Sequence, residues 1–236
     1  MGPDLVQWLH RLGLHLGAPV RAPEGPAVDL SGSALDLPSL LALAAALGWA
    51  SGFRLYAAVF LVGLAGQMGW ILLPPGLAVL QHPALLIVSG ALLLLEFMAD
   101  KVPGVDSLWD LANSLIRIPA GAALAAAALG GDGAVAATLG ALFGGALAAT
   151  SQAAKTTSRA AINTSPEPFS NVAASLFEDG AVVFVLWLAT THPWAFGAFL
   201  VVAVLMAVGI TLVLFRFLRG ALRRLAAWFS SVPKGS

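Results

Sequence analysis

The chain has no cysteine, a single tyrosine, and charge on only 10% of its 236 residues. Lack of cysteine excludes disulfides and thiolate metal sites, though it says nothing about compartment. Twelve basic residues balance twelve acidic ones, so there is no excess charge to draw nucleic acid as a partner. The N-terminus also lacks the positive n-region and continuous apolar h-region of a secretory signal, so residues 1–36 are expected to be retained. What is abundant is apolar: 59% hydrophobic residues and a mean hydropathy of +0.89, gathered into long runs. That describes an integral membrane protein, an all-α bundle of transmembrane helices with the lipid bilayer as its first partner. There is no second domain large enough to fold alone.

Leu5, Leu9, Leu12 and Leu16 recur at helical spacing beside Trp8, which suits either a short amphipathic surface helix or a frayed leader. The stretch "APVRAPEGPAVDLSGSALD" then reads as an irregular linker, closing a leader of residues 1–36. The membrane bundle follows over residues 37–217, and a basic tail over 218–236. A helix needs about 17 to 25 residues to cross. Cutting at charge, proline and glycine predicts seven spans: Leu37 to Ala50, Leu55 to Leu73, Pro83 to Met98, Leu115 to Gly130, Ala134 to Thr150, Val172 to Thr190 and Trp194 to Phe217. The number is six if "ASGFR" at Ala50 to Arg54 is a break or re-entrant turn inside one discontinuous helix. Runs such as "AGAALAAAALGG" and "GALFGGALAAT" present small residues that let helices approach closely.

His82-Pro83 opens the third span and His192-Pro193 the seventh. The echo either recurs by chance or marks three-plus-one-plus-three parallel repeats. Both histidines read as interfacial loop residues rather than metal ligands. Orientation follows from the bases: "RFLRGALRRL" carries four arginines just beyond the last span and places the C-terminus in the cytoplasm. Counting back through seven crossings puts Arg54, Lys101, Arg117, Lys155 and Arg159 on the cytoplasmic side, with no base in "PPGLAVLQH", "GGDG" or "TTH". Arg11 and Arg21 are the exceptions, and acids surround them. Trp70, Trp187, Trp194 and Trp228 lie near span ends, where indoles favour the interface.

A charge within the hydrocarbon costs roughly 2.5 to 3.5 kcal/mol even on the lenient insertion scale, so the ionisable residues are where chemistry is sought. In "LLLLEFMADKVPGVDSLWDLANSLIR", Glu96 and Asp100 share a helical face, Pro103-Gly104 breaks the helix, and Asp106 and Asp110 repeat the spacing. Lys101 and Arg117 are available to pair with them, in a membrane site or in a solvated loop. Lys155, Arg159 and Asn163 form another stripe, after which "TSPEP" predicts a turn around Glu167 and Asn171 an N-cap for the sixth span. Polar side chains and backbone breaks at one depth suit a re-entrant or broken segment there. Glu178 and Asp179 fall roughly 10 Å inside the sixth span, with a neighbouring base or a bound cation as the expected partner.

"GFRLY", "EFMADKVPGVDSLWD" and "KTTSRAAINTSPEPFSNVAASLFED" resemble the motif blocks of a bacterial family of polytopic membrane proteins known as domain of unknown function four-one-two-six. The resemblance covers Leu37 to about Phe217. It implies a polytopic helical protein of the bacterial cytoplasmic (inner) membrane and supplies no activity. "EFMADK" loosely resembles the Glu-x-Gly-Asp-Lys motif of small cation exchangers, with longer spacing and no glycine.

Three readings follow. In the first, a small secondary transporter or exchanger binds a cation or proton through Glu96, Asp100, Glu178 and Asp179, with hard oxygens favouring Mg, Ca, Mn or a proton. In the second, a flippase or membrane enzyme grips an anionic lipid headgroup with Arg54, Lys101, Lys155 and Arg159. In the third, the protein is a structural assembly factor. Taken together, the candidate binding residues are twelve: Arg54, Glu96, Asp100, Lys101, Asp106, Asp110, Lys155, Arg159, Asn163, Glu167, Glu178 and Asp179. No catalytic residue and no cofactor is assigned, and an enzyme is the less expected class.

Overall fold

A computed structural model describes residues 35–102, 105–130, 133–164 and 168–231. The expected leader helix and the "TSPEP" turn lie largely outside these residues. The described chain is helical: α1 (Leu37–Gln67), a 3-10 helix (Pro75–Gln81), α2 (Pro83–Ala99), α3 (Val105–Leu129), α4 (Ala134–Ile162), α5 (Pro168–Thr191) and α6 (Pro193–Ser231). By length and composition five of them, α1 and α3 to α6, could cross a membrane, and the 3-10 helix with α2, bent by 68°, makes a sixth. Large side chains such as Leu115, Val135, Leu205 and Val213 face outward, as lipid-facing positions do. This is a multi-pass membrane bundle.

Local sequence sets the helix ends. Asp36 caps α1 by accepting from the Ser39 amide at 3.2 Å, with Pro38 in the first turn. Both His-Pro dipeptides start helices. His82 Nδ1 accepts from the Ala84 amide at 3.2 Å, and the His192 carbonyl accepts from the Phe196 amide at 2.9 Å. Their echo is thus shared helix-start chemistry, and the helices the two halves would have to match differ, with 17 residues in α2 against 39 in α6.

The decisive local feature is Arg54, whose φ of −146° and ψ of 82° are extended inside α1. The helix does not merely bend there; it turns back. Before Arg54, a Cβ on Gly48 would meet Gly144 of α4, and one on Gly121 of α3 would meet the Gly48 carbonyl. After it, Gly63 lies against Leu80, while Gly76, four residues earlier in the 3-10 helix, lies against Ala127 of α3. Ala127 is about 9 Å beyond Gly121 along α3. A helix running straight on through Arg54 would carry Gly63 toward the other end of the bundle. In agreement, Leu35, Ser39 and Leu43 line one cavity of about 250 Å³ together with Trp70, Ile71 and Leu72.

The first two expected spans are therefore the arms of one broken helix, residues 37–53 and 55–67. At about 25 and 20 Å they are shorter than the roughly 30 Å hydrocarbon core. α1 is re-entrant, and α2 to α6 run alternately down and up around it. Consecutive residues Ala42 to Ala50 are all buried, as befits a helix enclosed on every side. Irregular backbone at this depth is tolerated only where protein surrounds it.

The broken segment expected around "TSPEP" falls largely outside the described residues, with α4 running unbroken to Ile162 before it, and the break that the structure does show lies at Arg54. Three other expectations are corrected. Asn171 is not an N-cap, because α5 begins at Pro168 and Asn171 is buried within it. "DSLWD" is no loop but the first turns of α3, and α6 runs on past Phe217 without a break.

Two predictions follow from this packing. Single cysteines introduced at Leu37 and Met68, both exposed, should react with an impermeant maleimide from the same side of sealed vesicles. Reaction from opposite sides would mean that α1 crosses. Gly144→Val places atoms where Ala125 Cβ and the Gly121 carbonyl already sit. It should cost on the order of 1–3 kcal/mol in thermal or denaturant unfolding, whereas Gly197→Ala, which meets nothing, should be close to neutral.

Candidate functional site

The reversal of α1 brings Arg54 into a layer of charged side chains drawn from α2 to α5, where it meets Asp100, Ser175, Glu178 and Asp179. Four bases and four acids are buried together: Arg54, Arg117, Lys155 and Arg159, with Glu96, Asp100, Asp110 and Glu178, none more than 5% exposed. Helical spacing aims them. On α3, Asp110, Asn113 and Arg117 stand at i, i+3 and i+7; on α5, Asn171, Ser175 and Glu178 at i, i+4 and i+7; on α4, Ser151, Lys155 and Arg159 every fourth residue.

Arg117 pairs with Glu96, and its Nη1 donates to Asp110 at 2.9 Å and to Gln152 at 3.0 Å. Arg54 Nη2 is 2.5 Å from Asp100 and donates to Ser175 Oγ at 2.6 Å. Its Nε is 2.9 Å from Asp179 but lacks the alignment of a hydrogen bond. Arg159 grips both oxygens of Glu178, at 3.0 and 3.1 Å, and reaches Asp100 at 3.5 Å. Lys155 lies between these groups. Its Nζ is 3.1 Å from Asp110, 3.1 Å from Glu178 and 3.7 Å from Glu96, and it donates to the Phe53 carbonyl at 3.0 Å. That carbonyl is one of those left without a helical partner by the reversal.

Pairing is nearly but not wholly complete. Glu96 Oε2, Asp100 Oδ1 and Asp110 Oδ2 are buried without a hydrogen-bond donor, as are Arg54 Nη1 and Arg117 Nε without an acceptor. Three carboxylates thus each keep one oxygen open to a proton or a further donor. Tyr56 closes one edge of the layer by donating to Asn113 at 2.7 Å.

Eight of the twelve residues expected at the site meet here: Arg54, Glu96, Asp100, Asp110, Lys155, Arg159, Glu178 and Asp179. Lys101 does not; its ammonium sits 3.1 Å over the Phe97 ring. Asn163 ends α4 and accepts from Asn171 Nδ2 at 3.0 Å, beside Arg159 rather than among the acids. Of Asp106 only the backbone, in the first turn of α3, is described, and Glu167 lies outside the described residues. Glu178, expected deep in its helix with a basic partner, has three. Arg117 carries more of the layer than its expected role as a spare partner, and Gln152, Ser175 and the Phe53 carbonyl were not anticipated. The Asp110–Asn113–Arg117 stripe was a signal for the first; nothing marked the carbonyl.

Residues 41–212 match the model of a family described as a domain of unknown function, DUF4126. The chain belongs to that family. Its matched stretch contains all but the first turn of the re-entrant helix and every member of the charge layer. No curated protein and no solved structure matches the chain.

Removing one member of a buried pair leaves the other uncompensated. Glu178→Gln should therefore lower stability by roughly 3–5 kcal/mol, read as unfolding of the detergent-solubilised protein. Adding Arg159→Gln should recover part of the loss. A fully additive double variant would show that the pair is not coupled.

Proposed function

We propose that this DUF4126 protein is a small proton-coupled secondary transporter whose coupling centre is the charge layer at the tip of α1. The observation that carries the reading is the position of Lys155. Its one ammonium is shared by carboxylates of three helices and by the carbonyl at the break of a re-entrant helix. Discontinuous helices meeting ionisable side chains inside the bilayer are the usual architecture of secondary transporters. A guanidinium stays charged, so among the four buried bases the lysine is the one whose chemistry permits proton exchange. A proton passed from Lys155 to Glu178 or Asp110 leaves a neutral amine and a neutral acid. The amine then has less reason to hold the Phe53 carbonyl, and a neutral Glu178 less reason to hold Arg54.

Metal-ion exchange is less well supported. Each of the four buried carboxylates already meets a base, and no group of three metal-ligating side chains stands in a metal-holding arrangement among the described residues. The lipid-phosphate reading requires Arg54, Lys155 and Arg159 to leave carboxylates for a headgroup, although they are at most 2% exposed, while its fourth base, Lys101, stands apart over Phe97. The distribution of bases supports a bacterial cytoplasmic membrane location with the C-terminus in the cytoplasm.

The test is charge movement. A pH jump applied to proteoliposomes on a solid-supported membrane should evoke a transient current in the wild type. Lys155→Arg should fold and keep its charge yet lose the current by at least about tenfold, because a guanidinium does not release its proton. Silence in the wild type, or an undiminished current in Lys155→Arg, would leave the layer as a structural lock.

A further inference from the structure

A second population of bases, independent of the charge layer, stands on the far part of α6. Its 39 residues extend about 58 Å, nearly twice the roughly 30 Å hydrocarbon core. α4 provides a ruler for where the excess begins. Val208, Thr211 and Leu212 share a cleft with Ala149, Thr150 and Ala153. The next residue before this stretch ends, Gln152, contacts Arg117, so Leu212 lies at the depth of the charge layer. Up to that depth the outer face of α6 is apolar and exposed, as at Val201, Leu205 and Leu212.

Beyond it the chemistry changes. Arg216, Arg219 and Arg223 are exposed and fall about 6, 10 and 17 Å past Leu212. At 100° per residue they lie within an arc of about 60°, forming one stripe. Among the described residues none of the three has an ion-pair partner, in contrast to the four bases of the core. Counted from Trp194 near the other end of α6, Arg216 stands about 33 Å along the helix, one hydrocarbon thickness away. Unpaired guanidiniums at that level, directly continuing a lipid-facing surface, face the phosphate plane of the leaflet nearest the charge layer.

We infer that Arg216, Arg219 and Arg223 form a binding stripe for the phosphates of anionic phospholipids, which holds α6 at one depth in the membrane. Guanidinium offers two-pronged donation to phosphate, and juxtamembrane bases attract anionic leaflets at close range. Because α6 packs on α4, which carries Lys155 and Arg159, fixing its depth also fixes the depth of the charge layer.

The experiment uses the full chain in nanodiscs of equal phosphatidylglycerol and phosphatidylcholine, with the lipids retained on the intact protein counted by mass spectrometry. The wild type should retain phosphatidylglycerol preferentially. Arg216→Gln, Arg219→Gln and Arg223→Gln should each reduce that preference about fivefold, and the melting temperature in detergent should not move. Replacing all three by lysine should keep most of the preference, since charge is what the leaflet supplies. Equal retention of both lipids by the wild type overturns the assignment, as does a preference that survives the triple glutamine variant. An arginine-dependent dimer in phosphatidylcholine alone would overturn it too, by making the stripe a protein contact.

Discussion

Four cations and four anions within one membrane bundle can exist only by compensating one another, and the rest of the architecture follows from that. Each ion taken from water alone costs several kcal/mol even after relaxation, so no single member could be buried by itself. Arg54 shows the consequence. A helix that reverses in the middle of a bundle leaves carbonyls without donors, and an arginine at the turn adds a charge to the same place. Both problems are met by neighbouring helices: Lys155 donates to the carbonyl of Phe53, while Asp100, Asp179 and Ser175 receive the guanidinium. The reversal needs the layer, and the layer needs the reversal to bring its central arginine inside.

Small residues set the register in which these charges meet. Gly48, Gly121 and Gly144 allow the backbones of α1, α3 and α4 to come within contact of one another. Between one and three helical turns further along, the same three helices present Phe53, Asp110 to Arg117, and Gln152 to Lys155. Ser151 ties the approach together by donating to the Trp49 carbonyl at 2.7 Å. A bulkier residue at Gly144 would separate α3 from α4 and lengthen the contacts between them, Arg117 with Gln152 and Lys155 with Asp110. The glycine stripes, whose only evident meaning in the sequence is close packing, thereby govern electrostatics.

Much of this was legible beforehand, for physical reasons that can be named. A hydrocarbon solvent makes apolar runs long and their interruptions conspicuous. The alternation of direction survives in the structure because each predicted cut coincided with a turn. Glu178 announced its depth, since too few apolar residues follow it for the helix to begin later. What could not be read was which interruption breaks the backbone. "TSPEP" carries two prolines and looked the stronger candidate, while "SGFRLY" carries one glycine and an arginine; the reversal at Arg54 is imposed by partners on α2, α4 and α5, which no local pattern reveals. Lys101 misled because it is adjacent in sequence to Asp100, whereas beyond the end of α2 it turns away onto Phe97.

The distribution of charge within the layer also bears on the role proposed for Lys155. Arg117 stands alone with two acids, Glu96 and Asp110, and so forms a set short of one positive charge. Arg54 and Arg159 stand with Asp100 and Glu178, a balanced set until Asp179 at its edge is counted, when it too falls short. Lys155 lies at hydrogen-bonding distance from an acid of each set and cannot fully neutralise both. In the proposed transporter, two arrangements would differ in which set the ammonium serves, and packed interiors pass between discrete arrangements rather than deform smoothly. On that reading one proton, added or removed, would tip the choice, and the hydrogen bond from Lys155 to the carbonyl of Phe53 would carry the outcome to the re-entrant tip.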